Sequence, residues 1–258
     1  MGYSDGYVER QTGISLGGKI AIALALLVGL PIIAAFGYGV YSTVLVSSET
    51  KLARALENSP EAKGFFAGLK HHYPQEYAAL NAKVIEAVER GDGHAGVMLI
   101  LNKANAFQHS HAAEAANAPD PQLTTILEGQ IKVLAIAIRK PDMCKRSLSG
   151  IPGQMSALSA AESQKMEANQ RGFVAGAAAG RDHPVKRPSL YYSDQQALLG
   201  QLRQRGVALE ELNGLDQPGA TDAASIRKCT VALELLRAVA ALPPAQSMRI
   251  FAQFVRTS

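Results

Sequence analysis

One short stretch of this sequence places histidine and carboxylate side chains at spacings that suit metal binding or proton transfer. Residues 107–114, FQHSHAAE, contain His109, His111 and Glu114. Imidazole and carboxylate groups are common ligands of transition metals. His111 and Glu114 share a helix face because they are three residues apart, whereas His109 and His111 do not. These residues are the metal-binding candidates of the chain, and we expect a polar helix end that holds no tightly bound metal.

Other catalytic patterns are incomplete. A second histidine stretch, KHHYPQE at residues 70–76, lacks the H-E-x-x-H spacing of zinc hydrolases. The spacing G-x-S-x-G occurs at residues 13–17, GISLG, but a polar tail and not a strand precedes it, so it does not indicate a nucleophile elbow. GISLGGK at residues 13–19 has the spacing of a phosphate-binding loop, but Ile20 stands where that motif needs a hydroxyl ligand for magnesium. The sequence therefore predicts no catalytic residue and no cofactor.

The most distinctive polar stretch is GRDHPVKRPSLYYSDQQ, residues 180–196. Its prolines restrict the backbone, so its basic and aromatic side chains would be presented on a semi-rigid connection. Arginine and aromatic residues are enriched where proteins recognise one another. The predicted partner-binding residues are Arg181, His183, Lys186, Arg187, Tyr191 and Tyr192. The alternative interpretation is a solvated loop between helices.

The chain has two cysteines, Cys144 and Cys229. They lack the spacing of a zinc or redox motif, and an even count in an exported domain favours a disulfide. Cys144 follows Pro141, where we expect a helix to have ended, and Cys229 lies within a predicted helix. The sequence predicts a bond between them. The competing interpretation is a buried Cys229 and an exposed, free Cys144.

A long apolar segment near the start of the chain predicts a membrane anchor. No charged residue occurs from Ile20 to Ser48, and about 20 apolar residues suffice to cross a bilayer core. We assign residues 1–19 to a short cytoplasmic tail, 20–46 to a retained transmembrane helix and 47–258 to an extracytoplasmic domain. A cleaved signal peptide is the alternative, but its apolar region usually has about 7–15 residues.

The orientation of this anchor depends on the cysteines, since basic residues are balanced on its two sides. Arg10 and Lys19 precede the segment, and Lys51 and Arg54 follow it. The predicted disulfide favours an oxidising compartment, and the high alanine content favours a bacterium. We therefore expect a bacterial inner-membrane protein with its carboxyl-terminal domain in the periplasm. The net charge of +4 is too mild to indicate nucleic-acid binding.

Helix start and stop signals recur beyond the anchor, and alternating strand patterns do not. Predicted helices begin near Pro60, Pro74, Asp92 and Asp120, and others follow near residues 154, 193 and 221. A short terminal helix is predicted from the apolar residues Met248, Phe251, Phe254 and Val255. The helix from Asp92 should extend to about Ala116. The fold prediction is all-α, with a single transmembrane helix followed by an irregular bundle of about seven or eight helices.

These observations predict a membrane-anchored, non-catalytic envelope protein whose helical periplasmic domain binds or scaffolds a protein partner. Two alternatives remain open. One is a periplasmic enzyme or metal-binding domain that uses the histidines of residues 107–114. The other is a regulatory domain that faces the cytoplasm and has reduced cysteines.

Overall fold

The computed structural model describes residues 47–149, 158–213, 215 and 221–257. Within these residues the chain forms eleven α-helices and one 3-10 helix, without a strand. The α-helices are α1 Ser48–Glu57, α2 Pro60–His72, α3 Pro74–Glu89, α4 Gly93–Ser110, α5 Ala112–Ala116, α6 Asp120–Ala137, α7 Pro141–Ser149, α8 Ala160–Asp182, α9 Tyr192–Gln204, α10 Asp222–Ala240 and α11 Pro244–Arg256. The 3-10 helix is Leu209–Leu212. The predicted all-α class is confirmed.

The predicted membrane anchor lies outside the described residues. Among those that are described, none of the helices combines the length and the apolar character that crossing a bilayer requires. The tail at 1–19 and the anchor at 20–46 both fall before the first described residue, Ser47. The anchor therefore stays a prediction from the sequence.

The described residues contain more helices than the seven or eight predicted, for two physical reasons. The helix expected to run from Asp92 to about Ala116 is divided at His111, which ends α4 and precedes α5. The helix from Asp120 ends at Ala137, before Pro141 as expected, but Pro141 also begins a further helix, α7, because proline fits the first turn where no amide donor is needed. Helix α1 gave no clear signal in the sequence.

Two of the predicted helix starts are confirmed by side-chain caps. Asp92 accepts a hydrogen bond of 2.8 Å from the amide of Ala95, and Thr221 accepts one from the amide of Ala224. The helix start predicted near residue 193 is confirmed to within one residue. Helix α9 begins one residue earlier, and its first turn is closed by Asp194, whose carboxylate accepts from the amide of Tyr191 at 2.9 Å.

Helix α8 is the centre of the bundle and packs against α2, α5 and α6. Glycines allow this close approach. A Cβ added at Gly64 of α2 would overlap the backbone carbonyl of Glu167, and one at Gly180 of α8 would overlap the backbone of Glu114 and Ala118. The low-bulk end of α8, GFVAGAAAG at residues 172–180, is thus a packing surface at which helix backbones nearly touch.

We expect Gly180→Ala to destabilise the domain by about 1–3 kcal/mol, because the new methyl group must push α8 away from α5. Gly200 is the matched control, since it lies inside α9 and a Cβ there would meet no atom within 4 Å. Gly200→Ala should stabilise the domain by about 0.5–1 kcal/mol through helix propensity. Urea unfolding of both variants checks the opposite signs, and equal effects would contradict this packing.

Candidate functional site

Five polar side chains form a continuous chain of contacts at one end of the bundle, which we call the polar relay: Tyr73, Glu76, Lys103, His111 and Glu114. The Tyr73 hydroxyl donates to Glu114 Oε2 at 3.0 Å, and the same oxygen lies 2.6 Å from His111 Nδ1. His111 Nε2 lies 3.3 Å from Glu76 Oε1, and Lys103 Nζ lies 2.5 Å from Glu76 Oε2. Both ring nitrogens of His111 thus face carboxylate oxygens, one from Glu114 and one from Glu76.

Aromatic and cationic groups surround the relay on its inner side. The His111 ring stacks on Phe107, with a centroid distance of 4.0 Å. The Arg181 guanidinium lies 4.5 Å from the centroid of the Tyr73 ring. Burial, followed by the hydrogen bond to Glu114, raises the pKa of Tyr73 well above its ordinary value. Tyr73 therefore stays a neutral donor at physiological pH.

The three metal-binding candidates are not gathered into one site. His111 and Glu114 are in direct contact, as their spacing predicts, but His109 lies on the exposed side of α4 and is not in the relay. The described residues contain no cluster of three or more His, Cys, Asp or Glu side chains that could hold a metal ion. The charged contacts of the relay join α3, α4 and α5.

An open groove of about 320 Å³ lies beside the relay, between α3 and α4. Its lining residues are Glu76, Ala79, Leu80, Lys83, Leu99 and Lys103. Glu76 and Lys103 already bind one another, so the polar edge of the groove is occupied by an internal ion pair. This geometry favours a structural role for the relay over a reaction centre.

We expect Tyr73→Phe to destabilise the domain by about 1.5–3 kcal/mol, the usual range for a hydrogen bond to a charged group. Tyr192→Phe is the control, because the Tyr192 side chain is 75% exposed and should tolerate loss of its hydroxyl. Guanidinium unfolding followed by circular dichroism measures both. An unchanged midpoint for Tyr73→Phe would show that the relay contributes nothing to stability.

The predicted partner-binding residues lie along one continuous segment, residues 181–192, which we call the strip. Its middle is fixed to the body of the protein. The Val185 amide donates to the Asn117 carbonyl at 2.7 Å. Arg187 donates to the carbonyls of Ala116 and Ala118, at 3.0 and 2.7 Å, and forms an ion pair with Asp120. Because its side chain is only 8% exposed, Arg187 holds the strip in place and presents no charge to solvent.

A buried ion pair fixes the end of the strip. Asp194 has no exposed surface, and its two oxygens each accept a 2.7 Å hydrogen bond from Arg249. The Arg249 guanidinium in turn lies 4.6 Å from the centroid of the Tyr191 ring. The hydrogen bonds from Arg249 hold the pKa of Asp194 below its ordinary value. Tyr191 is therefore positioned by a charged pair that the sequence pattern does not reveal.

The outer face of the strip is apolar and basic. Tyr192 is 75% exposed, Tyr191 52% and Val185 38%, and these three are the exposed large hydrophobic residues among those described. His183 and Lys186 are also exposed. Residues 185–192 of the strip thus carry exposed large hydrophobic side chains. Elsewhere in the described part of the chain such side chains are covered.

The two cysteines are brought together. Cys144 of α7 and Cys229 of α10 form a disulfide, with Cα atoms 6.1 Å apart and 85 residues of separation. Both are fully buried. The competing interpretation of Cys144 as an exposed free thiol does not hold, because Cys144 lies on the inner face of a helix. The bond joins α7 to α10.

Sequence reasoning missed the residues that hold the strip and the relay together. Tyr73 and Glu76 lie in the KHHYPQE stretch, where their role would have been found only by pairing them with residues about 40 positions later. Arg249 and Asn117 carry no local signal at all. Comparison of the chain with protein-family models, with curated proteins and with solved structures gave no match.

Proposed function

We propose that this protein is a membrane-tethered domain of the bacterial periplasm that binds a protein partner through the strip, without catalysis of its own. The observation that carries the proposal is the exposure of Val185, Tyr191 and Tyr192 on one segment. Exposed aromatic residues beside basic ones are the composition of interface hot spots, and clustered apolar exposure is unusual on a surface that stays in water.

The strip lies far from the point where the predicted anchor would join the domain. At the start of the domain, the Ser48 hydroxyl donates to Glu89, the last residue of α3. At the other end of α3, Arg181 of the strip stacks on Tyr73, which precedes that helix. Helix α3 has 16 residues and so spans about 24 Å. A tether at the start of the domain would thus lie at the other end of α3 from Arg181, which supports access of another protein to the strip.

The disulfide supports a location outside the cytoplasm. Disulfides form and persist in oxidising compartments and are rare in the cytosol. A bond between Cys144 and Cys229, both buried, is a structural clamp of the kind found in exported domains. Together with the charge-free segment before Ser48, it favours export of the domain with retention in the inner membrane.

Photo-crosslinking in intact cells tests this function. A photoreactive residue at position 192 should give a discrete crosslinked species with one protein, since that side chain is 75% exposed on the proposed surface. The same residue at position 51, exposed on α1 at the opposite end, is the matched control and should not give that species. An absence of crosslinking at 185, 191 and 192 alike would contradict partner binding by the strip.

A further inference from the structure

We infer that the partner presents an acidic surface to the strip, with Lys186 and Arg256 as the cations that recognise it. This inference rests on the proposed function and adds the chemistry of the partner. Lys186 lies on the strip, and Arg256 ends α11 beside it.

The Asp182, Asp120 and Asp194 carboxylates near the strip each form an ion pair with an arginine of the same domain. Asp182 accepts two hydrogen bonds from Arg181, at 2.8 and 3.2 Å. Asp120 pairs with Arg187, and Asp194 pairs with Arg249 through two bonds. The three ion pairs are Arg181–Asp182, Arg187–Asp120 and Arg249–Asp194. The anions near the strip are thus already neutralised from within.

Two cations beside the strip have no such partner among the residues that the structure describes. Lys186 is exposed, and no carboxylate of the described ranges pairs with it. Arg256 donates to the side-chain oxygen of Asn117 at 3.1 Å, and the main-chain carbonyl of that same asparagine holds Val185. Arg256 therefore flanks the exposed Val185. The charge left for recognition is positive, and an acidic surface complements it.

The aromatic part of the strip is already ordered before binding. Tyr191 is held by the Arg249 guanidinium, and Arg187 fixes the segment that precedes it. A surface ordered in advance loses less conformational entropy on binding. An acidic protein segment that also offers apolar or aromatic side chains would contact Tyr192 while its carboxylates approach Lys186 and Arg256.

An anionic membrane surface has the same charge as an acidic protein, but the strip is separated from the start of the domain. Arg181 and Ser48 contact opposite ends of α3, which are separated by about 24 Å. Electrostatic attraction to a membrane falls off within a Debye length of about 8 Å at physiological salt. This separation favours a protein over lipid, and the vesicle arm of the test below decides between them.

The test uses the full chain in nanodiscs of zwitterionic lipid and two probes of opposite charge, a glutamate–tyrosine copolymer and a lysine–tyrosine copolymer, both fluorescently labelled. We expect the acidic probe to bind and the basic probe not to bind. The double variant Lys186→Glu/Arg256→Glu should weaken acidic-probe binding by about tenfold or more, since like charges now face the probe. Tyr192→Ser should weaken it as well. Lys51→Glu, an exposed charge reversal at the far end, is the control and should bind normally.

Each other result overturns the inference. Equal losses in the double variant and in Lys51→Glu would show unspecific charge attraction, and undiminished binding by the double variant would remove both cations from the site. Tighter binding of anionic vesicles than of the acidic probe would assign the strip to lipid. Both substituted side chains are exposed, so circular dichroism should show unchanged helix content.

If crosslinking at position 192 persists while the acidic probe fails to bind, the partner exists and is not acidic. Failure of both would reject the proposed function itself.

Discussion

Replacing Asp194 with alanine is expected to destabilise the domain by about 3–5 kcal/mol, the range for breaking one side of a buried ion pair. The carboxylate has no exposed surface and accepts two hydrogen bonds of 2.7 Å from Arg249. Its loss leaves Arg249, a partly buried cation, without its partner. It also removes the acceptor for the Tyr191 amide at the start of α9. Denaturant unfolding at neutral pH measures the change.

Two controls separate the buried pair from general charge effects. Asp182→Ala removes an exposed carboxylate that also pairs with an arginine, and it should change stability little. The double variant Asp194→Ala/Arg249→Met removes the uncompensated charge and should recover part of the lost stability. If Asp194→Ala and Asp182→Ala unfold at the same denaturant concentration, the pair does not carry this energy.

The same residue gives the protein a defined response to acid. The pKa of Asp194 is lowered in the folded state by the hydrogen bonds from Arg249, against an ordinary value of 3.8. A carboxylate with a depressed folded pKa stabilises the fold above its unfolded pKa and loses that contribution as the pH falls through the folded value. Stability should therefore drop below about pH 4 in the wild type and drop less in Asp194→Ala.

Removing the disulfide should have the second large effect. The bond closes a separation of 85 residues, for which the chain-entropy model gives an upper figure of about 4–5 kcal/mol and natural examples lie at about 2–5 kcal/mol. We expect the double variant Cys144→Ala/Cys229→Ala to lose stability within the natural range. Thermal unfolding with a reversible baseline measures it.

The matched control is the wild-type chain under reducing conditions. Once the bond has been reduced in unfolded protein, the free energy of unfolding of the wild type should approach that of the double variant. The remaining difference comes from two buried thiols, which the variant replaces with methyl groups. A double variant as stable as the oxidised wild type would contradict the assignment of the bond as a clamp between α7 and α10.

Local sequence signals predicted the helix starts well where the first turn contains a proline or a capping side chain. Pro60, Pro74 and Thr221 sit at or next to the start of a helix because proline and hydroxyl side chains satisfy first-turn geometry. The break at His111 could not be predicted, because it depends on contacts with Phe107 and with carboxylates from two helices. The close packing of α8 depends on backbone atoms about 60 residues earlier in the chain, which its own sequence does not reveal.

The candidate site was predicted as a set of residues but not as a geometry. Tyr191, Tyr192 and Lys186 are exposed, as a recognition surface requires. Arg187 was placed in the same set, and the structure instead uses its guanidinium to bind three groups of the domain. A short stretch of sequence cannot show whether an arginine faces solvent or binds the body of the domain, because the acceptors of Arg187 lie about 70 residues earlier.

We propose that the domain lies outside the cytoplasm, where its cysteines are bonded and its strip binds a protein. The most direct test is thiol trapping in intact cells with a membrane-permeant alkylating reagent, followed by non-reducing mass mapping of the full chain. We expect a peptide pair joined through Cys144 and Cys229, with neither cysteine alkylated. Alkylation of both cysteines in freshly trapped cells would contradict it and would favour a reduced domain that faces the cytoplasm.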